Sequence, residues 1–260
     1  KSRSVATKDV IAAVKKMVVG GTREIVLSGV DITSWGQDLP GQPRLGQLVL
    51  AILEAVPSLP RLRLSSLDPA EPDHYLMTAL ETHARLMPHL HLSVQHGDDL
   101  ILKRMKRRHL GRDIARFCDE ARRRRPDVVF GADLIAGFPT ETEAAHIATK
   151  DMIARAGITY LHVFPYSPRA GTPAASMPQV DGALIKQRAG ELREIGVQRL
   201  HGFLDNIIGS NDQMLVESGN MGHGRGYSKM RLLGDYVAAG TLIDVTVTAR
   251  DGGVAVVERR

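Results

Sequence analysis

The chain has 260 residues, 43% of them hydrophobic but only 4% aromatic, so the sequence predicts one large aliphatic core plus a small module. A formal charge of +5 and a pI near 9.5 permit a nucleic-acid partner. The single cysteine, Cys118, excludes a disulfide framework, and one thiol cannot hold an iron–sulfur cluster or a structural zinc.

Thr7 reads as an N-cap, with apolar residues at helical spacing up to Gly20-Gly21. A strand over 23–29 follows, then a helix over 45–56 that stops at Pro57, a strand over 61–66, a helix from Pro72 to about Leu86 and a strand over 89–94. Asp98 and Asp99 cap a helix leading into a basic segment that continues to Arg125. Residues 103–125 carry eleven Lys/Arg against three acids, either a solvated helix face or a phosphate-facing surface. Cys118 lies in this stretch between Phe117 and Asp119 and reads as a partly buried structural thiol, as suits a reducing cytosol. A strand over 127–137, a helix over 140–156 and a strand over 159–166 complete the alternation. No apolar run is long enough to span a membrane. The start, KSRSVATKD, has no signal-peptide core and no initiator Met and reads as an internal start.

Strands repeating at βα-unit spacing predict parallel pairing in a barrel, a part-barrel or a doubly wound sheet, all of which gather ligands at strand C-terminal ends. The five ends here, Ser28-Gly29-Val30-Asp31, Ser65 to Pro69, Gln95 to Asp98, Ala136 to Glu141 and Pro165 to Arg169, are all small, polar or glycine-bearing. Asp133 is out of place in an apolar strand, where a buried carboxylate needs a partner or a function. It is either hydrogen-bonded across the barrel or turned to a substrate pocket. His96 reads as a satisfied polar residue and His162 as a structural one. Beyond residue 180 a long amphipathic helix over 181–204 leads into MLVES, YSKMRLL, LIDVTVTAR and VAVVER, which read as short antiparallel strands of a small β-barrel. The predicted division is 1–180, 181–204 and 205–260.

Five blocks in order, LSGVDITSWG, LRLSSLDPAEPD, LSVQHGDDLILKRMKRRH, FGADLIAGFPTET and VFPYSPRAGTPAA, resemble the methylthiotransferases of the radical S-adenosylmethionine superfamily over essentially the whole chain. The first two blocks most resemble the branch acting on N6-threonylcarbamoyladenosine beside the tRNA anticodon. The resemblance implies an α/β fold: a partial (β/α) barrel lacking its first strand, followed by a TRAM-like RNA-binding β-barrel. It implies S-adenosylmethionine held at the strand ends. Ser28, Gly29 and Asp31 would meet the methionine part, with Asp31 on its ammonium, unless Asp31 only closes an Asx turn. Ser65 and Gln95 would contact ribose or methionine, and Arg107 the methionine carboxylate unless it is solvated. Ile135 and Gly137 would pack on adenine, and Pro165, Tyr166 and Ser167 would line its edge. Arg225, Lys229 and Arg231 would contact RNA phosphates, unless they belong to a solvated hairpin.

The same resemblance implies 4Fe-4S clusters in the full-length protein, whose C-x3-C-x2-C loop this chain lacks. KSRS resembles the segment just after that loop. The expected object is therefore a fragment, inactive alone and aggregation-prone at an uncovered sheet edge, of a cytoplasmic enzyme that makes the 2-methylthio nucleoside in tRNA. Oligomeric state is left open. Other readings are a methylthiotransferase for isopentenyladenosine or for a ribosomal protein, a non-catalytic RNA-binding protein, and, fitting poorly, an ordinary barrel enzyme.

Overall fold

The computed structural model describes residues 3–70 and 73–260. Lys1 and Ser2, where KSRS begins, and Pro72, where a helix start is predicted, lie outside the described residues. The first part alternates as expected: α1 (Thr7–Val19), β1 (Glu24–Leu27), α2 (Leu45–Ala55), β2 (Arg61–Leu64), α3 (His74–Thr82), β3 (His89–Gln95), α4 (Asp99–Arg104), α5 (Gly111–Arg124), β4 (Val129–Ala136), α6 (Glu143–Ala156) and β5 (Tyr160–Pro165). All strand pairs here are parallel. β1 pairs with β2, β3-β4-β5 form a second sheet, and isolated bridges Leu62↔Leu86 and Leu67↔Leu92 join the two into one open, curved array. On its other edge β1 pairs with no strand among the described residues, and Val26 beside that edge is half exposed.

Strand alternation sorts the two faces. In β4, Phe130, Ala132 and Leu134 are fully buried toward the helices, where they join Leu90, Leu92, Ile153 and Leu192 in the main core. The opposite face of the array carries Glu24, Arg61, Arg63, His89, His91, Gly131, Asp133 and His162. Gly131 is small there for a reason: a Cβ would collide with the His91 ring.

Side-chain caps fix the helix starts. Asp73 accepts from Tyr75 N and Leu76 N, Asp98 from Ile101 N, Thr142 from Ala145 N and Asp181 from Leu184 N. Gly157, at φ 61°, closes α6 in the left-handed conformation. Thr7 is not a cap: Ala6 precedes the helix and Thr7 is its first residue. α3 ends at Thr82, four residues short of the predicted Leu86, because His83 turns extended. The basic stretch breaks into α4 and α5, because Lys106 N bonds Lys103 O and Arg107 N bonds Leu102 O, which closes α4.

The second part starts with α7 (Gly182–Asn206), packed across β4 and β5. A closed barrel follows, with strands β6 (Asn211–Ser218), β7 (Met221–His223), β8 (Lys229–Leu232), β9 (Leu242–Asp251) and β10 (Val254–Arg259) in the order β10-β8-β7-β6-β9. Its core holds Leu204, Met214, Met230, Val245, Ala255 and Val257. The expectation of a purely antiparallel barrel is corrected in two ways. β7 is an extra strand, and β8 pairs with β10 in parallel, which lets the sheet close.

The β7–β8 loop enters the N-terminal opening of the strand array. Tyr227 stacks on His89 at 4.7 Å and on His223 at 4.9 Å, and meets Tyr160 edge-on. Arg63 lies over the Tyr227 ring, donates to the Arg225 and Gly224 carbonyls and makes a two-pronged bond to Glu24 at 3.0 Å. Arg61, fully buried, donates to the carbonyls of His223 and Gln213 and lies 3.5 Å from Glu24.

Candidate functional site

At the opposite, C-terminal end of β3, β4 and β5 a cleft of about 520 Å³ opens. Five of the sequence-predicted residues line it: Gln95, Ile135, Pro165, Tyr166 and Ser167. Asp133 lines it too, which answers the question of its role with both alternatives at once. Its Oδ1 lies 3.0 Å from His91 Nε2 and 3.4 Å from His162 Nδ1, and it faces the cleft. Burial works against this carboxylate's charge, but hydrogen bonding and charge from His91, then His162, hold its pKa below the ordinary value. His162 does not pack in the core as a structural residue would: its side chain is 59% exposed and meets Asp133. The same three side chains present ligand atoms within 4.8 Å of one another and are the one group among the described residues able to hold a divalent cation.

Of the remaining predicted residues, Ser28, Gly29, Asp31 and Ser65 follow the C-terminal ends of β1 and β2 and Arg107 follows α4; none lines that cleft. Ser28 and Gly29 follow β1 and are exposed. Asp31 accepts from Ser34 Oγ at 2.7 Å and from Ser34 N at 3.3 Å, so in this structure it makes the local turn, closing a single 3-10 turn at Ile32–Ser34. Ser65 N extends the β1–β2 ladder to Leu27 O at 2.9 Å. Arg108 ties the strand ends together, lying 3.2 Å from Asp68 and 3.8 Å from Asp31. Arg107 is half-buried, and burial lowers its pKa against the opposing field of Asp68. It also feels Asp133 and Asp31, yet it has no hydrogen-bond acceptor among the described residues. Arg107 is thus a half-buried guanidinium near carboxylates that pairs with none of them.

Gly137, at φ 75°, uses the conformation glycine adopts freely. What comes close to it is the Ile185 side chain of α7. Its N–H and that of Phe138 are held by Glu141 Oε2, at 2.7 and 3.2 Å. Glu141 is fully buried and also meets His96 Nε2 at 3.2 Å and Arg188 at 3.1 Å. His96 is thus the satisfied polar residue expected. Glu141 and Arg188 drew no prediction, although the acid two residues after Pro139 was visible in the GFPTET block.

Asp68 offers a test by pH. Burial opposes its ionisation, but hydrogen bonds from His109, Ala70 N and Arg108 hold its pKa down to about 2. The folded value lies below the unfolded one, so its stabilisation is complete above the ordinary carboxylate pKa and is lost as pH falls through it toward about 2. Thermal melts are expected to show Asp68→Asn reducing the midpoint at pH 6, with the gap to wild type closing between about pH 4 and pH 2.

The basic segment is mostly occupied internally. Arg122 donates to the Ala156 and Gly157 carbonyls and Arg125 to those of Leu80 and His83, while Arg116, Arg123 and Arg124 pair with Asp113, Glu120 and Glu81. On the β-barrel, Arg225 bonds Asp212 at 3.0 Å and Arg231 lies 2.9 Å from Asp251; Lys229 is exposed with no carboxylate in reach among the described residues. Cys118 is buried, and burial pushes its thiol up to about 12. No described helix is long and apolar enough to cross a membrane.

A family model described as the radical SAM superfamily matches residues 1–153. The chain belongs to the radical SAM superfamily. Coproporphyrinogen III oxidase (HemN) from Escherichia coli, titled a radical SAM enzyme, superposes with a TM-score of 0.54 at 14% identity, covering 74% of this chain and 46% of that one, which is a likeness of fold. Among curated relatives, the threonylcarbamoyladenosine tRNA methylthiotransferase MtaB of Rickettsia prowazekii is 45% identical over 253 residues, 97% of this chain and 60% of the relative. The tRNA-2-methylthio-N(6)-dimethylallyladenosine synthase of Paracoccus denitrificans is 33% identical over 88% of this chain and 51% of its own length. The chain thus spans between half and three fifths of the length of these two relatives.

Superfamily membership implies S-adenosylmethionine and a 4Fe-4S cluster, and the residues present fit the two differently. The mouth fits the first: Arg107 is an unmatched cation for its carboxylate, and Ile135 and Tyr166 offer apolar faces beside the cleft. The donor set does not fit the cluster, because the one thiol is buried and protonated.

Proposed function

We propose that this chain is the S-adenosylmethionine-binding and substrate-binding part of a tRNA methylthiotransferase that converts N6-threonylcarbamoyladenosine beside the anticodon to its 2-methylthio derivative, acting in the cytoplasm. The observation that carries the reading is the 45% identity to the R. prowazekii enzyme across 97% of this chain. A cleft at the strand C-terminal ends supports it, since parallel α/β arrays place ligands there.

The roles of the residues follow from their chemistry. Arg107 would neutralise the methionine carboxylate, and Asp31, once turned from Ser34, would accept from the ammonium. Gly29 would leave the backbone open beside it, with Ser28 and Ser65 as polar neighbours. Gln95 would bond the ribose, while Ile135 and the Pro165–Ser167 backbone would hold the adenine. Gly137 would contribute by shaping that loop, under Ile185. S-adenosylmethionine, when bound, supplies the methyl group and the means of hydrogen abstraction. Lys229, with Arg225 and Arg231 if they exchange their carboxylate partners, would contact RNA phosphates.

The test is nucleoside mass spectrometry of tRNA from cells lacking the full-length gene. Loss of 2-methylthio-threonylcarbamoyladenosine with accumulation of its parent is expected, restored by the wild-type gene but not by one carrying Arg107→Met. Loss of the isopentenyl derivative instead would select the other tRNA branch. Unchanged tRNA would reject the reading in favour of a protein substrate or a binding-only role.

A further inference from the structure

The proposed substrate is a nucleotide within an RNA strand, so the strand's own phosphates must lie at the rim of the cleft while the base is inside. A rim built for them needs cations that no carboxylate of the protein already holds. The β-barrel supplies few, since Arg225, Arg231 and Arg250 pair with Asp212, Asp251 and Asp205. The five arginines from Arg116 to Arg125 are likewise engaged.

The corner between α4 and α5 differs. Residues 98–112 hold six Lys/Arg and two acids, and both acids are spent on backbone N–H groups, Asp98 on Ile101 and Asp99 on Gly111. Three of the six cations serve the mouth itself: Arg104 donates to Thr140, Arg108 pairs with Asp68, and Arg107 is half-buried. The other three, Lys103, Lys106 and Arg112, are exposed and meet no carboxylate among the described residues.

The corner packs behind the cleft without lining it. Met105 packs in one apolar cluster with Ile135, Tyr166 and Ala174, each of which lines the opening. Lys106 itself sits at φ 58°, in the left-handed position that ends α4, where glycine is the residue without strain.

Resting on the tRNA reading, we propose that Lys103, Lys106 and Arg112 form a phosphate-binding rim that holds the RNA strand on either side of the nucleotide in the cleft. The rim gives affinity without reading sequence, because phosphate contacts position a strand and base contacts specify it.

The test measures binding of the 260-residue chain to a labelled anticodon stem-loop RNA by fluorescence anisotropy, over a series of salt concentrations. The triple variant K103E/K106E/R112E is expected to raise Kd at least tenfold and to lower the magnitude of the salt slope by about 2 to 3, as three lost phosphate contacts require. The milder K103Q/K106Q/R112Q is expected to lie between, and R123E, on α5 beside Glu120, to bind as wild type. Circular dichroism melts matching wild type would show that the variants fold; should the triple reversal not fold, the glutamine variant carries the test. A folded rim variant that binds as tightly as wild type, with the same slope, would overturn the rim and leave the tRNA reading standing. Failure of the wild-type chain to bind the RNA at any salt would overturn both.

Discussion

Replacing Glu141 by glutamine is expected to be the most destabilising single conservative change in the chain. The carboxylate is fully buried and receives the Gly137 and Phe138 N–H groups, His96 and Arg188. The Arg188 side chain is only 4% exposed, so the substitution leaves a guanidinium in the interior without its buried anion, holding only the largely exposed Glu143 at 3.2 Å. Breaking such a pair from one side costs about 3–5 kcal/mol, far more than the intact pair is worth. Denaturant unfolding would measure it, with a second variant, E141Q/R188M, expected to regain part of the loss because neither charge is then stranded. Burial opposes ionisation of Glu141, but His96, the Gly137 N–H and Arg188 hold its pKa below the ordinary value. Its contribution is therefore present above the unfolded carboxylate pKa and lost as pH falls through the folded one, so the gap between wild type and E141Q is expected to narrow in acid. Equal stability of the two at pH 7 would refute this account.

The second large effect is at Glu24, the shared anion between Arg61 and Arg63. These two arginines have side chains 0% and 3% exposed and hold the β7–β8 loop by its carbonyls. Glu24→Ala places two buried guanidinium groups near one another with no carboxylate between them, an expected cost of about 3–5 kcal/mol. The loss falls on the contact between strand array and barrel. Calorimetry is therefore expected to turn one cooperative transition into two, the barrel melting separately on its own core of Met214, Met230, Val245 and Val257. A single transition at an unchanged temperature would show that Glu24 does not join the two parts.

Much of this was legible in the sequence, and the reason is periodicity. Apolar β4, with polar or small residues on its inner side, and the capped α6 both announce themselves locally, and the strand-end motifs led to Gln95, Ile135 and Pro165–Ser167, which share one cleft. The misses are long-range. His162 alternates with apolar neighbours as a core residue would, and only the register Asp133↔His162 with His91 one strand over shows that it meets Asp133 on the open face. The basic run from Lys103 to Arg125 looked uniform, yet its members divide between carbonyl ligands, ion pairs and free cations according to what α5 packs against. Thr7 and Asp31 show local chemistry deciding: one merely starts a helix beyond Ala6, and the other closes a turn on Ser34.

The placement of Tyr227 sets the β-barrel and the cleft at opposite ends of the strand array. The β-barrel is keyed into the end of the array where the strands begin, and the cleft lies where they finish. β4 spans eight residues, about 25 Å at about 3.3 Å each. A free nucleoside is shorter than that distance. On the proposed tRNA reading, an RNA that touches both the barrel and the cleft must span at least the length of β4, so the strand array sets a minimum reach for the substrate.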